Sequence, residues 1–378
     1  MSGRVDEDTV IAWCTEALRR GVYNTAPAVI PLSFSADPGR TWESAVYQFD
    51  RRIGTWERGV RTVIALEREK NARISRMIQE RDAGVFSENR LFEYLSIRNL
   101  NQLTGEALSF AAGLAPSDVT LEIIPGIFES RIDTDRLRQG AANPFESLAQ
   151  RASVLAAGGL RRDGDRVFVF SNDSADIEFN VRLGRALEEW AGKTGNENWA
   201  RMGRSLVLSA IASAAGDGSI PRSVTIGPDD EFVFSRDSIS SARMYRLLGL
   251  GEYSPRWVAT GIDGIWAYTA ASSLTITRDD RQMVISARFP PGETHQFMLT
   301  NIRPFPLLQI HDMNWRRAAS FESYYDSSGW NYFEQDQVLV LKIRHRTAAE
   351  QVRILFTVQA AATPPPSPTP QQAAPDRE

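Results

Sequence analysis

Val284-Ile-Ser-Ala-Arg-Phe289, Gln296-Phe-Met-Leu299 and Val338-Leu-Val-Leu-Lys-Ile343 decide how this chain is read. Leu274-Thr-Ile-Thr277, Leu307-Leu-Gln-Ile310 and Val352-Arg-Ile-Leu-Phe356 repeat the same signature of short, β-branched runs. Turn-formers separate them, at Asp279-Asp280, Pro290-Pro291-Gly292 and Ser327-Ser328-Gly329. Short strands at this spacing predict a small antiparallel sandwich, Ig-like, over 264–358.

Upstream of Gly264 the apolar residues recur every three to four positions, so the fold class expected is multidomain, α then β. Residues 1–84 read as a helical region. Val10, Ile11, Cys14, Ala17 and Leu18 mark its first helix, and a long charged helix over 50–82 carries Ile53, Trp56, Val60, Ile64, Ile74, Met77 and Ile78. A polar gap at 67–73 interrupts that face. It reads either as a solvated surface or as a surface packed on something else. Residues 85–260 read as helical hairpins. One covers 88–115 and is stopped by Pro116. Val119 to Phe128 fits strand or helix. Asn143-Pro144-Phe145-Glu146 reads as a helix start with Asn143 as cap and Glu146 closing a capping box. Val167 to Phe170 reads as a short strand. Phe179, Leu183, Leu187 and Trp190 form one strong stripe, and Trp199, Met202, Leu206 and Ala210 another. A shorter helix is expected near 238–248. The tail over 360–378, with Pro364-Pro365-Pro366, reads as disordered or extended.

The chain has 378 residues, a net charge of −4 and an ordinary share of charged and apolar side chains. That balance gives no reason to expect nucleic acid as a partner. No run approaches the ~20 apolar residues of a membrane span, and the first residues have no apolar signal core. The expected location is cytoplasmic, or periplasmic or extracellular if an export signal precedes this start. The one cysteine, Cys14, rules out an intrachain disulfide and a cysteine zinc site. Gly192-Lys193-Thr194 lacks the upstream glycine of a phosphate loop, because Leu187 stands there. No cofactor and no metal site is expected. The histidines are His295, His311 and His345, all in the β region, and they read as surface or strand-end residues. Acid–base chemistry in the helical part would therefore fall to Asp, Glu, Tyr, Lys or Arg.

Three polar or aromatic groups remain as candidate sites. Asp173, Asp176 and Glu178 precede a helix, where one carboxylate can cap it. Alternatively they are catalytic carboxylates lining a cleft with Trp190, Trp199 and Arg204, since tryptophan stacks on the apolar face of a sugar ring. At helical spacing those tryptophans equally read as core. Glu129, within Glu129-Ser130-Arg131-Ile132-Asp133, reads as part of a salt-bridged surface or as a site residue. Trp315, Tyr324, Tyr325, Trp330 and Tyr332 cluster within a few turns of chain, and read as a sugar platform, a docking surface or packing between domains.

Leu183-Gly-Arg-Ala-Leu-Glu-Glu-Trp190 and Trp199-Ala-Arg-Met-Gly-Arg-Ser-Leu206, followed by Asp217-Gly-Ser-Ile-Pro221 and then a β region, resemble an α/α toroid joined to a sandwich. This order of parts is similar to the six-hairpin glycosidases and the toroid polysaccharide lyases. The resemblance covers about residues 85–358 and matches no catalytic motif of either family. It implies a partial toroid and a site in the helical domain. For a glycosidase, an acid and a base carboxylate would come from Asp173, Asp176, Glu178, Glu188 and Glu189. Two functions are therefore expected. One is a non-catalytic envelope or scaffold protein whose helical adaptor and β module meet a protein partner. The other is a carbohydrate-binding or carbohydrate-active protein acting on a polysaccharide.

Overall fold

The computed structural model of the chain describes residues 56–137, 142–214, 220–239, 256–315 except 263, 270 and 293, and 328–357, with 247 and 317. The expected helix within 1–49, Ile53, the body of the short helix near 238–248, Tyr324, Tyr325 and the Pro-rich tail lie outside the described residues.

The helical part begins with α1 (Trp56–Gln79), which ends on Ile74 and Ile78, both buried. A short 3-10 turn follows at Ala83–Ser87, opened by Asp82, whose Oδ1 accepts the Gly84 N–H at 2.8 Å. Then come α2 (Leu91–Ile97), α3 (Asn101–Ala112), α4 (Ile124–Leu137) and α5 (Glu146–Gly158). The ambiguous stretch after Val119 is helical from Ile124 onward. α5 starts later than its capping signal predicts. Asn143 Oδ1 accepts the Phe145 N–H at 2.9 Å, which makes a turn before the helix. Glu146, instead of closing a capping box, bonds Arg131 Nε at 2.7 Å.

α4 is buried on almost every side, including Gly126, Phe128, Glu129, Ser130, Asp133 and Thr134. A helix with one apolar stripe sits at a surface, whereas one covered all round is central. Gly126 makes the coverage possible. A Cβ there would lie 1.6 Å from the Phe86 carbonyl oxygen, so the 3-10 turn packs directly on the α4 backbone.

The two tryptophan stripes form α6 (Ile177–Thr194) and α7 (Glu197–Ala212), an antiparallel pair. Their link is only Gly195, in a left-handed conformation, and Asn196, the N-cap of α7. Gly184 and Gly203 face each other where the helices meet. A Cβ on either would stand about 2.5–2.6 Å from the carbonyl oxygen of the other.

Between Leu160 and Ile239 short strands interleave with these helices, and of these the sequence predicts the one near Val167 to Phe170. They are β1 (Leu160–Asp163), β2 (Arg166–Val169), β3 (Ser174–Asp176), β4 (Ile220–Pro221), β5 (Ser223–Ile226), β6 (Phe232–Phe234) and β7 (Ser238–Ile239). All are two to four residues long, too short for a two-residue alternation to stand out. They pair antiparallel and cover a small core of Phe168, Ile177, Val181, Val207 and Phe232.

The β region consists of two five-stranded antiparallel sheets. One runs β10 (Ser273–Arg278), β11 (Gln282–Arg288), β17 (Ala349–Leu355), β13 (Leu307–Ile310), β14 (Met313–Trp315). The other runs β15 (Gly329–Phe333), β16 (Val338–Arg344), β12 (Thr294–Leu299), β9 (Trp266–Thr269), β8 (Arg256–Ala259). Met283, Ile285, Leu308, Val352 and Ile354 from the first sheet share a core with Phe297, Leu299, Leu339, Leu341 and Ile343 from the second. No helix follows position 264 among the described residues. β8 already begins at Arg256, ahead of the expected change at 264. β16 is buried at every residue from Val338 to Ile343 because Val338 and Val340, on its other face, pack with Trp257, Trp266 and Tyr268.

Candidate functional site

α4 is buried from Ile124 to Thr134 except at Arg131, so the charged side chains Glu129 and Asp133 must be paired inside the protein. Glu129 is 4% exposed. Arg182 of α6 grips it through Nε to Oε1 at 2.8 Å and Nη2 to Oε2 at 2.6 Å, a two-pronged ion pair. The same guanidinium donates to the carbonyls of Ser87 and Glu88. Arg90, just before α2, completes the cluster. Its backbone N–H donates to Glu129 Oε2 at 2.9 Å, its Nη1 to Asp133 at 3.1 Å and its Nη2 to Glu189. Arg136 also bonds Glu189. Arg90 has φ 50, a left-handed conformation unfavourable for a side chain, and these three contacts hold it there.

The electrostatics follow from burial and from the partners. Burial pushes the Asp133 carboxyl up to about 6, against the pull of Arg90. Burial also opposes the Arg90 cation, but Asp133 and Glu189 outweigh it and its pKa is raised. Burial would raise the Glu189 carboxyl as well, yet its bond to Arg90 brings it below the ordinary range. Asp133 Oδ2 and the hydroxyls of Ser130 and Thr134 have no hydrogen-bond partner among the described residues.

A second polar feature joins the helical part to the sheets. The Arg98 guanidinium lies over Tyr94, 3.7 Å from the ring centroid, and over Trp266 of β9 and Trp257 of β8 at 4.6 and 5.4 Å. Trp257 and Trp266 meet edge to face at 4.7 Å. Glu67 pairs with Arg98, while Arg73 and Lys70 pair with Glu88. Members of the polar gap in α1 thus serve as ion-pair partners, so the gap is not simply a solvated face.

The residues singled out in the sequence do not converge on one place. Asp173 is exposed. Asp176 N-caps α6, its Oδ1 accepting the Phe179 N–H at 2.7 Å. Glu178 occupies the first turn of the same helix. Trp190 lies near the other end of α6, about 20 Å from Asp176 at the helical rise per residue. The expected cleft combining these carboxylates with Trp190, Trp199 and Arg204 is therefore not formed. Trp190 packs on Phe128 at 5.0 Å and on Trp199 at 6.0 Å, and both tryptophans are only partly exposed at the edge of the helical core. Arg204 is half-buried on α7, close enough to Glu188 to lower its pKa, although burial raises that carboxyl overall. Glu129 and Glu189 are the candidates that this polar cluster brings together.

Trp330 and Tyr332 belong to the β core, which withdraws their rings from a sugar platform. Trp330 Nε1 donates to the Trp315 carbonyl at 2.8 Å and the Tyr332 hydroxyl to the Ile302 carbonyl at 2.6 Å. His295 and His345 are also interior residues, not the surface or strand-end histidines the sequence predicts. Sequence reasoning missed Arg90, Arg182 and Arg98 because an arginine in a helical repeat reads as solvated. The clue available was the excess of charge on α4, whose length of chain has no clear polar face.

Among the described residues, no group of three or more His, Cys, Asp or Glu side chains is placed to hold a metal. None of the described helices is long and apolar enough to cross a membrane. Compared with known proteins, the chain matches no family model and no curated protein.

Proposed function

We propose that this chain is a non-catalytic scaffold or interaction protein, in which a helical adaptor carries an Ig-like β-sandwich that meets a protein partner. One observation carries this reading. The side chains that would handle a sugar are already used to hold the fold: Asp176 as a cap, Glu129 and Glu189 in ion pairs, Trp330 and Tyr332 in a core. The Arg98 joint supports it too, because an adaptor needs its two parts held at a set angle. A glycan array combined with intrinsic tryptophan fluorescence against acidic and neutral polysaccharides tests the proposal. The expected result is no saturable response. A saturable response to one glycan class would overturn it.

A second reading is favoured by Asp133 alone. A buried carboxyl raised to about 6 beside Glu129 and Glu189 has the character of a general acid. On that reading the chain is carbohydrate-active, with the partial toroid plus sandwich of the six-hairpin glycosidases or polysaccharide lyases. Release of reducing ends or unsaturated uronates from a polysaccharide panel, lost in Asp133→Asn, would establish it in place of the first.

A further inference from the structure

All three histidines of the chain meet at one end of the β region. His295 of β12 is fully buried, its ring lying between Phe289 and Phe297 at centroid distances of 4.7 and 4.8 Å and nearly parallel to both. Its Nε2 is 2.9 Å from Thr269 Oγ1 of β9. His345, just past β16, is buried with its centroid 5.6 Å from that of His295 and 5.6 Å from Phe289. Neither His345 ring nitrogen has a hydrogen-bond partner among the described residues.

Among the described residues, these groups face the pair. Glu350 of β17 accepts the backbone N–H groups of Arg346 and Thr347 at 2.6 and 2.7 Å, directly after His345. Its other oxygen lies 3.0 Å from Nδ1 of His311, in the turn between β13 and β14. The loop after β11 brings Phe289 and β12 brings Phe297, neither of them charged. His295 stands opposite Ile343, so Lys342 projects from the other face of the sheet. Arg344 and Arg346 are exposed.

The imidazoles stand where two loops are zipped together. The Phe289 N–H donates to the Ala348 carbonyl at 3.0 Å, and the Gly292 N–H to the His345 carbonyl at 2.8 Å. We propose that His295 and His345 form an acid-opened latch, which holds the Phe289–Gly292 loop on the His345–Ala348 loop while neutral and releases it when protonated. Two imidazolium ions 5.6 Å apart in a phenylalanine stack would repel each other without water to screen them. Burial holds His295 well below the ordinary histidine value and His345 down to about 4. Opening therefore takes up protons and is favoured as pH falls below the ordinary value of 6.5 toward about 4. The device makes the exposure of these two loops depend on the acidity around the protein.

Hydrogen exchange of the Phe289 and Gly292 amides in the full chain, corrected for intrinsic exchange, tests the latch. Between neutral pH and about pH 4.5, protection in the wild type should fall by at least about fiftyfold. The double variant His295→Gln with His345→Gln, which can take neither charge, should keep most of its protection over the same range. Retained protection in the wild type, or parallel loss in the wild type and the double variant, would overturn the proposal. Should the double variant fold poorly, imidazole titration by NMR on the wild type decides instead. His345 should titrate together with loss of Gly292 protection, and titration with the loop still closed would sink the latch.

Discussion

The helical part and the β region both bury titratable side chains, and they do so in opposite ways. Around α4 the buried groups are charged and paired, with Glu129 held by Arg182 and Asp133 and Glu189 held by Arg90. In the β region the buried imidazoles stand uncharged among phenylalanines. The difference follows from geometry. A central helix presents side chains in every direction, so charge on it can be met from α2 and α6 at once. A strand between two sheets presents every second side chain to an apolar slab, where only a neutral group is tolerated. A paired charge is held in place by its partner, whereas a buried neutral base yields to acid.

The largest expected effect comes from breaking the paired side of this contrast. Glu129→Ala should destabilise the protein by about 3–5 kcal/mol, because the Arg182 cation is left buried without its carboxylate. Urea unfolding measures it, and Glu129→Met with Arg182→Met should recover much of the loss. A cost under about 1 kcal/mol would show that the helical part does not depend on the pair.

The contrast also sets two pH slopes of opposite sign. Asp133 has a folded pKa raised from 3.8 to about 6. Its favourable contribution is complete below about 4 and is lost as pH rises through about 6, at roughly 2–3 kcal/mol in all. His345 has a folded pKa depressed from 6.5 to about 4. Its contribution is complete above 6.5 and is lost as pH falls through about 4, by a similar amount. Asp133→Asn should remove the first slope and leave the second, read by denaturant midpoints across this range. A variant that flattens both would mean that one shared event, not two local ones, sets the pH response.

At the joint between the regions, Arg98→Ala should cost about 2 kcal/mol, from the lost stacking on Tyr94 and Trp266 and the unpaired Glu67. Near-ultraviolet circular dichroism should lose the Trp257–Trp266 signal, and the helical and β parts should unfold in separate steps. A single unchanged transition would place the coupling elsewhere. The smallest effect is expected at Asp176→Ala, about 1 kcal/mol for one helix cap. A much larger loss, or a change in any ligand response, would return Asp176 to the list of functional carboxylates.

Hydrophobic rhythm alone determined the order of parts. The apolar stripes of α6 and α7 and the runs that became β11, β12 and β16 are long enough for their periods to show. Among β1–β7 only β2 was read from the sequence, at Val167 to Phe170, and the others escaped because strands of two to four residues are too short for an alternation to stand out. Glu129 could be picked out as one of a charged cluster, but its role could not. Its partners lie 39 and 53 positions away, at Arg90 and Arg182. The same holds for the histidines, drawn together from three separate elements of the two sheets. Local chain statistics report what a residue prefers along its own helix or strand. Whether a carboxylate meets a guanidinium, or an imidazole meets a phenyl ring, depends on which elements pack together, and only the tertiary structure decides that.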